Sequence, residues 1–418
     1  MIDYARALEI ILGQSTPLPG ERIPASAGIG RILATPVRSP EDLPPFANSA
    51  MDGFALHAGA GKLATGTEFR VDGSCAAGDG RAQGGDGAWE IMTGARVPDG
   101  LDTIVPVEQV EVLQRDAHGL PQRIRLLAEV APGQHLRRSG EDVARGAQVA
   151  ASGELLRGAH LGLLAALGVA TVEVVRRPRV AVINTGRELV CDPAQPLQPG
   201  QIRESNSPLL IAQLATAGAE VVWQQVVSDE PEAFATAVQA ALDVGAEVLI
   251  STGAVSMGRY DFVPDSLQGL GAQIHFHKVR IRPGKPLLFA TLAGGQLYFG
   301  LPGNPASSAV GLRFFVEPAL RRLLGLMPER PLRVPLATSA GKSVPMRRFL
   351  KARLACDGQG QLRVHALSGQ ESFKIAPLLQ SNAWMAISED AGAPPLNALV
   401  EVYPIGHLQG IQPGTMME

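Results

Sequence analysis

Residues 180–186 read Val-Ala-Val-Ile-Asn-Thr-Gly, a short apolar run that ends in a threonine–glycine turn. Continuous apolar runs of this length are typical of strands buried on both faces of a parallel sheet. A second run, Val248-Leu-Ile, leads directly into Ser251-Thr-Gly, and apolar residues at helical spacing lie between the two runs. This alternation of strand and helix predicts a doubly wound, mostly parallel sheet over residues 178–327.

The flanking segments have a different texture. From about Thr16 to Asp142 the chain is rich in Pro, Gly and Asp, and its short apolar alternations predict β-strands between turns. After Pro328 the helical period disappears, and alternations such as Leu399-Val-Glu-Val-Tyr predict a small all-β domain. We therefore expect a multidomain α/β protein.

The composition argues against several classes of protein. The 418 residues suffice for more than one domain at roughly 100–200 residues each, and 45% hydrophobic with 18% charged residues is an ordinary globular balance. A net charge of −3 predicts no general affinity for nucleic acid or for acidic membranes. Three separated cysteines predict neither a disulfide framework nor a cysteine zinc site, and the N-terminus does not read as a signal peptide. We expect a soluble, cytoplasmic protein.

Three glycine turns mark the expected ligand site, because ligands of open α/β sheets lie beyond the carboxyl ends of the strands. They are Asn184-Thr-Gly-Arg-Glu-Leu, Ser251-Thr-Gly-Ala-Val-Ser-Met-Gly and Gly300-Leu-Pro-Gly-Asn-Pro. Glycine lets a backbone approach a phosphate closely, and the N–H groups of the following helix point at it. One such turn alone is more often a plain strand–helix connection, but three in one sheet favour an anionic ligand.

Two other glycine motifs do not fit nucleotide-binding fingerprints. Gly341-Lys-Ser resembles the end of a P-loop, but Leu336 stands where the first glycine is needed. Gly28-Ile-Gly-Arg-Ile-Leu lacks the third glycine of a dinucleotide-binding turn. Ordinary NAD or P-loop nucleotide chemistry is therefore disfavoured.

The segment 277–286 is strongly basic. In a strand, Lys278, Arg280 and Arg282 would share one face, with Lys285 close by, and the four cations would suit a phosphate or another tetrahedral oxyanion. The alternative is a solvated strand edge that is protected by charge, and this segment alone supports both interpretations equally.

Carboxylates beside turns are the third candidate feature. A group of them opposite a bound phosphate is a common way to hold Mg²⁺, which prefers oxygen ligands. Taken singly, such residues are more often helix caps or solvated turn residues. The candidates are Asp52, Asp142, Glu188, Glu204 and Asp261.

Eight short segments, taken in order, resemble those of one family, the molybdopterin molybdotransferases, which include bacterial MoeA and the E domain of gephyrin. Their order and their spread over nearly the whole chain make the resemblance specific. The segments are Asn48-Ser-Ala-Met-Asp-Gly-Phe-Ala, Ile91-Met-Thr-Gly-Ala, Ser139-Gly-Glu-Asp, Asn184-Thr-Gly-Arg-Glu-Leu, Gly200-Gln-Ile-Arg-Glu-Ser-Asn, Thr252-Gly-Ala-Val-Ser-Met-Gly-Arg-Tyr-Asp, Arg282-Pro-Gly-Lys-Pro and Leu301-Pro-Gly-Asn-Pro.

The resemblance implies an elongated homodimer with four domains in each chain. A split N-terminal domain would occupy residues 1–44 and 142–177 and would carry an inserted β-rich subdomain at 45–141. The molybdopterin-binding α/β domain would span 178–327, and the small all-β domain 328–418. The catalytic cleft is then expected between the α/β domain of one subunit and the N-terminal subdomain of the other.

The resemblance also implies the reaction. Adenylylated molybdopterin and molybdate would bind, molybdenum would enter the dithiolene, and AMP would leave with the help of Mg²⁺ held by Glu188 and Glu204. The catalytic set that the motifs imply is Asp52, Asp142, Glu188, Glu204 and Asp261. The substrate-binding set is Thr93, Thr185, Gly186, Thr252, Gly253, Ser256, Gly258, Lys278, Arg282, Lys285, Pro302, Gly303, Asn304, Pro305 and Ser372.

The sequence departs from the family pattern at four positions. Arg187 stands in place of an Asp beside the expected metal site, and Glu204 stands in place of an Asp. Ala254 replaces a glycine, and Arg282 replaces a lysine. Two other functions stay open, a molybdopterin adenylyltransferase and a scaffold of the gephyrin type. The upstream adenylyltransferase and downstream molybdoenzymes are the expected protein partners.

Overall fold

The computed structural model describes residues 1–255, 262–410 and 413–415. They form two compact units, Arg22–Val174 and Met1–Glu21 with Val175–Glu418. The borders of the four predicted domains remain a prediction. Within the described residues, no helix has both the length and the apolar character needed to cross a membrane.

The helices of the described residues begin and end close to the glycine and proline signals in the sequence. Helix α1 starts after Asp3, whose side chain accepts a hydrogen bond from the Arg6 N–H at 2.8 Å. The α-helices are α1 (Tyr4–Gln14), α2 (Gly158–Ala166), α3 (Asn206–Thr216), α4 (Pro231–Asp243), α5 (Val263–Gly269), α6 (Pro305–Gly311) and α7 (Glu317–Leu323). Short 3₁₀ turns cover Ala25–Ala27, Val107–Gln109 and Ala376–Gln380.

The unit Arg22–Val174 is rich in β-strands, as predicted. Its largest sheet has six strands in the order β7-β4-β6-β5-β9-β8, and β3 with β10, β2 with β11, and β1 with β12 form short ladders. The strands are β1 (Gly20–Pro24), β2 (Val37–Arg38), β3 (Asn48–Ser49), β4 (Gly53–Leu56), β5 (Glu68–Cys75), β6 (Ala88–Ile91), β7 (Thr103–Pro106), β8 (Val110–Arg115), β9 (Pro121–Leu126), β10 (Leu136–Arg137), β11 (Gln148–Ala150) and β12 (Thr171–Val175).

The predicted doubly wound sheet is present in the second unit. Its order is β16-β13-β17-β21-β20-β18, and the neighbours β16, β13, β17 and β21 run parallel. The last two pairings are antiparallel, so the sheet is mixed but mostly parallel. The strands of this region are β13 (Arg179–Thr185), β14 (Leu189–Val190), β15 (Ile202–Arg203), β16 (Glu220–Val227), β17 (Val248–Thr252), β18 (Gln273–His277), β19 (Ile281–Arg282), β20 (Leu288–Thr291) and β21 (Leu297–Leu301).

Helices cover both faces of this sheet. Alternate residues of each strand point to opposite faces, so the apolar residues of one strand contribute to two cores. Val180 and Val182 of β13 pack in one core with Leu210 of α3. Ala181 and Ile183 pack in the other core with Phe234 of α4. The apolar run therefore buries both of its faces, as a central parallel strand must.

The predicted all-β C-terminal domain is also present. Its sheet has the order β19-β23-β25-β26-β22, and β24 and β27 also pair with β23. Phe349 and Trp384 of this sheet pack into the core that contains Val180. The remaining strands are β22 (Leu332–Pro335), β23 (Arg347–Cys356), β24 (Leu362–Ala366), β25 (Ala383–Ile387), β26 (Leu399–Pro404) and β27 (Gly414–Thr415).

The predicted strip of basic residues on one strand face is wrong. Strand β18 ends at His277, and Lys278 has a φ of 77°, in the left-handed region that strands do not use. Val279 forms an isolated bridge with Ile2, and the next strand is Ile281–Arg282, which pairs with β23 in the C-terminal sheet. Because the alternation breaks at Lys278, it does not share a strand face with Arg282.

Candidate functional site

The three glycine turns meet at one edge of the doubly wound sheet. Asn184, Thr252 and Leu301 lie side by side on the neighbouring strands β13, β17 and β21. These strands are parallel, so their carboxyl ends point the same way and the turns that follow them are neighbours. We call this edge the glycine rim.

Buried hydrogen bonds connect the three turns. The Thr252 hydroxyl donates to the Asn184 amide oxygen at 2.8 Å. The Asn206 side-chain NH₂ donates to the Thr252 hydroxyl at 3.3 Å and to the Gly303 carbonyl at 2.8 Å. The Thr185 hydroxyl donates to the Thr252 carbonyl at 3.4 Å. Thr185 and Thr252, predicted as ligand donors, thus hold the rim together in this structure.

Backbone geometry explains why glycine occupies the rim. Gly253 has a φ of 92°, and a Cβ atom on it would lie 2.6 Å from the Thr185 carbonyl oxygen. Gly303 lies against the Gly253 backbone, and its own Cβ would be 3.7 Å from the Gly253 Cα. Ala254, which departs from the family pattern, has a φ of 48°, where glycine would be free of strain. A side chain at Gly253 would therefore clash with the turn after β13, whereas a Cβ at Gly303 would meet the Gly253 backbone at an ordinary distance.

The two predicted magnesium ligands lie near this rim but have different surroundings. Glu204 accepts hydrogen bonds through Oε1 from the Asn184 NH₂ at 2.6 Å and from the Ser207 N–H at 2.8 Å. It therefore caps the first turn of α3 and holds it against β13. The Glu188 carboxylate folds back over Gly186, where a Cβ atom would lie 2.9 Å from both of its oxygens.

We expect Glu204→Ala to lower the free energy of unfolding by about 1–2 kcal/mol, because it removes the acceptor of the Ser207 N–H in the first turn of α3 and leaves the buried Asn184 NH₂ with only the Ser207 hydroxyl. Glu204→Gln keeps an acceptor oxygen and should lose less. Glu188→Ala at the same rim is the control, with an expected change within about 0.5 kcal/mol. Urea unfolding measures all three, and equal losses for Glu204→Ala and Glu188→Ala would contradict the capping role.

A basic cavity of about 960 Å³ lies in the same unit, between the α/β sheet region and the C-terminal sheet. Five of the predicted substrate-binding residues line it together: Arg282, Lys285, Pro302, Asn304 and Ser372. Lys278 and the remaining predicted rim residues are not among its lining residues. The cavity is large enough for a ligand of nucleotide size.

The opposite wall comes from the C-terminal domain, and apart from Ser372 its residues were not predicted from the sequence. It includes Ser339, Gly341, Lys342, Arg348 and Phe373. Lys342 belongs to the Gly341-Lys-Ser tripeptide, which resembles the end of a P-loop but lacks its first glycine. A basic residue in a glycine turn was therefore the one feature of the sequence that could have indicated this wall. No local pattern pairs this turn with Arg282.

Arg348 fixes this wall. Only 4% of it is exposed, and its guanidinium donates to the carbonyl oxygens of Ala340 at 2.6 Å, Lys342 at 3.0 Å and Gly392 at 3.2 Å. Burial, and then the nearby charge of Arg282, lower the pKa of Arg348. The positive charges of Arg282 and Arg348, on opposite walls, therefore repel each other across the cavity, and an anion bound between them would relieve that repulsion.

Three family models match consecutive parts of the chain. The MoeA N-terminal region (domains I and II) matches residues 2–168, and the MoeA C-terminal region (domain IV) matches 333–405. Between them, the probable molybdopterin binding domain matches 181–322. The chain is 38% identical over 393 residues to the molybdopterin molybdenumtransferase of Synechococcus elongatus, which covers 92% of this chain and 94% of that protein. The chain belongs to the MoeA family.

Two further comparisons agree with MoeA membership. Molybdopterin molybdenumtransferase 2 of Mycobacterium tuberculosis is 39% identical over 379 residues, or 88% of this chain and 91% of that protein. The solved structure of the molybdopterin biosynthesis MoeA protein from Pyrococcus horikosii has a TM-score of 0.79 at 28% identity, and covers 97% of this chain and 99% of that one. The predicted MoeA resemblance and fold class are confirmed.

Other predicted residues of this MoeA-family chain lie in the unit Arg22–Val174. The Asp52 carboxylate accepts hydrogen bonds through Oδ1 from the Thr93 N–H at 2.7 Å and the Thr93 hydroxyl at 3.0 Å. These bonds hold the pKa of Asp52 below its ordinary value. Asp142 lies in an exposed turn and donates its backbone N–H to Leu43 at 3.0 Å. Thr93 is thus placed as a partner of Asp52.

Three predicted residues, Ser256, Gly258 and Asp261, lie outside the described part of the MoeA-family chain.

Pro305 begins α6 immediately after the Gly303 turn. Over residues 1–255, 262–410 and 413–415, no group of three His, Cys, Asp or Glu side chains is arranged to hold a metal ion. The roles of all these residues remain predictions.

Proposed function

We propose that this chain inserts molybdenum from molybdate into adenylylated molybdopterin and releases AMP, in the last step of molybdenum cofactor biosynthesis. Its curated relatives are named molybdopterin molybdenumtransferases, and the matches cover most of their length and most of this chain. The basic cavity is the structural observation that carries the proposal. It offers basic groups from two walls within a space that is large enough for the substrate.

Each wall of the cavity has a chemical role in this proposal. Molybdate is a tetrahedral dianion, so Arg282 and Lys285 bind it through charge-assisted hydrogen bonds. Lys342 and the buried Arg348 add positive potential from the opposite wall. Outside the cavity lining, the rim turns that end β13 and β17 would contact the phosphates. The chain positions the two substrates and neutralises their charge, while the dithiolene sulfurs and molybdate supply the reactive atoms.

The magnesium ion that the resemblance implies fits the described residues poorly. Oε1 of Glu204 already accepts two hydrogen bonds, and Glu188 lies over Gly186 with Arg187 beside it in sequence. A magnesium ion bound with the substrate phosphates would polarise the phosphoanhydride and stabilise the departing AMP. The roles of Glu188 and Glu204 as magnesium ligands remain a prediction.

The decisive experiment mixes purified protein with adenylylated molybdopterin and molybdate, and measures AMP by chromatography. A molybdotransferase releases AMP only when molybdate is present. An adenylyltransferase would instead consume ATP and unmodified molybdopterin, and a scaffold would do neither. The residues of the unit Arg22–Val174, with their own family match, favour the first outcome.

We expect Arg282→Ala and Lys285→Ala each to raise the KM for molybdate by about tenfold, because each removes one charge-assisted contact. The KM for adenylylated molybdopterin should change less. Arg280→Ala is the matched control, since Arg280 is exposed and lies outside the cavity lining. An equal KM for molybdate in all three variants would show that molybdate does not bind at Arg282 and Lys285.

The proposal includes a homodimer and a cytoplasmic location, with the upstream adenylyltransferase and downstream molybdoenzymes as protein partners. One chain has a mass of 43.9 kDa. Light scattering on the purified protein should therefore give twice this mass. A monomer with full activity would contradict the dimeric part of the proposal.

A further inference from the structure

Phe373 stands out in the wall of the basic cavity. It is the one aromatic side chain among the described residues that line the cavity, and 63% of it is exposed. Most of the other lining residues are basic, polar or small. A flat apolar surface beside cationic groups is suited to a ligand that combines a ring system with negative charge.

The turn that carries Phe373 is held rigidly. The Lys374 N–H donates to the Glu371 carbonyl at 3.1 Å and closes the turn. Beneath it, the Lys351 ammonium donates to the carbonyl oxygens of Glu371 at 3.3 Å and Lys374 at 3.1 Å. From α6, the Ala306 N–H donates to the Ser372 carbonyl at 3.0 Å. The turn is therefore fixed to both walls of the cavity.

Lys351 is an unusual element of this support. Only 1% of it is exposed, although a buried ammonium is costly unless carbonyl groups satisfy it. These two carbonyl acceptors both belong to the turn around Phe373. The Lys374 ammonium lies 5.9 Å from the centre of the Phe373 ring and restrains the ring further. Such preorganisation lowers the entropy lost when a ligand binds the ring.

We infer that Phe373 determines specificity by stacking on a flat heteroaromatic ring of the bound substrate. Arg282 and Lys285 hold the oxyanion part of the ligand while Phe373 holds the ring. This inference rests on the proposed function, in which the substrate carries two such rings, a pterin and an adenine. Stacking on an exposed aromatic side chain is a general way to bind nucleobases.

A fluorescence titration tests the stacking directly and requires no turnover. Phe373→Trp keeps a flat ring and adds a reporter, and the signal of wild-type protein is subtracted to remove the native tryptophans. Quenching of the added tryptophan by AMP assigns the adenine ring, and quenching by molybdopterin alone assigns the pterin. Leu379→Trp, at a position 88% exposed and outside the cavity lining, is the matched control and should not respond.

Kinetics test the same inference in the reaction. Phe373→Ala should raise the KM for adenylylated molybdopterin about tenfold or more, while kcat and the KM for molybdate stay within about twofold. Phe373→Leu, which is apolar but not flat, should resemble Phe373→Ala, and Phe373→Trp should resemble the wild type. Thermal melting within a few degrees of wild type shows that each variant is folded.

The outcomes separate the inference from the proposed function. Absence of AMP release by the wild type overturns the proposed function, yet the titration of Phe373→Trp still decides whether the ring binds AMP or molybdopterin. An active wild type with no quenching by either compound, or with equal KM values in Phe373→Ala, Phe373→Leu and wild type, overturns the stacking role alone.

Discussion

Arg313→Ala is expected to lower the free energy of unfolding by about 3–5 kcal/mol, because it removes one partner from a buried group of charges. Arg313 is 2% exposed. It donates to both Glu329 carboxylate oxygens, at 2.7 Å and 2.9 Å, and to the Pro404 carbonyl at 3.0 Å. It also lies 3.4 Å from Glu317, which is 1% exposed.

The loss should be large because Arg313 serves several acceptors at once. Burial raises the pKa of the Glu317 carboxyl to about 8, although the nearby Arg313 charge acts to lower it. Without the guanidinium, the Glu329 charge and the Pro404 carbonyl are left in a largely buried place. A buried acceptor without a donor costs about 1–3 kcal/mol, and a charge costs more.

Urea unfolding followed by tryptophan fluorescence measures this loss close to its origin. Trp384 is 2% exposed, and its ring centre lies 6.1 Å from that of Phe314, the next residue after Arg313. Arg322→Ala, on the same helical stretch but exposed, is the control and should change stability by less than about 0.5 kcal/mol. A loss for Arg313→Ala as small as that of the control would show that water satisfies these groups.

The position of Arg313 also illustrates what the sequence predicted. Pro318 lies in the sequence of the last helix of the α/β region, and proline disturbs a helix because it lacks an N–H and its ring clashes with the preceding turn. In the structure, a π-helical segment, Leu312–Val316, lies between α6 and α7, and it carries Arg313. The interruption was readable in the sequence, but the buried charges around it were not, because Glu329 and Pro404 reach Arg313 through tertiary packing.

The candidate site divides in the same way. The glycine rim was predictable because strand ends, glycine turns and helix starts are local signals, and parallel strands bring them to one edge. Most of the second wall was not, since Lys342, Arg348 and Phe373 belong to the C-terminal domain, where the family resemblance indicated only Ser372. Lys278 was misplaced because nothing in the sequence indicates the left-handed turn that ends β18. For Glu204 the structure adds a contact with the first turn of α3 that the sequence did not indicate, and its role as a metal ligand stays a prediction.

Gly253→Ala is expected to lower the free energy of unfolding by about 3 kcal/mol, from two independent sources. A φ of 92° is strained for any residue with a Cβ, at roughly 1–2 kcal/mol. The added methyl would also lie 2.6 Å from both the carbonyl oxygen and the hydroxyl of Thr185, and such overpacking costs about 1–3 kcal/mol. Because one contact is with backbone, no side-chain rotation relieves it.

The same substitution should reduce AMP release by about a hundredfold at a temperature where the protein stays folded. The ends of β13 and β17 must separate to admit the methyl, and shifts of about 1 Å in a binding site cost this much. Removing the side-chain contact with the double variant Gly253→Ala/Thr185→Ala should restore little, since the Thr185 carbonyl remains in place.

Gly303→Ala is the control for stability, because its Cβ would lie at an ordinary 3.7 Å from the Gly253 Cα. We expect it to lose less than about 1 kcal/mol. The two alanine variants add the same methyl group to neighbouring turns of one rim, so the difference between them isolates the close approach of β17 to β13. Similar stability of both variants in urea would mean that the turn after β17 yields to a side chain, and that the rim is not rigid enough to position a phosphate.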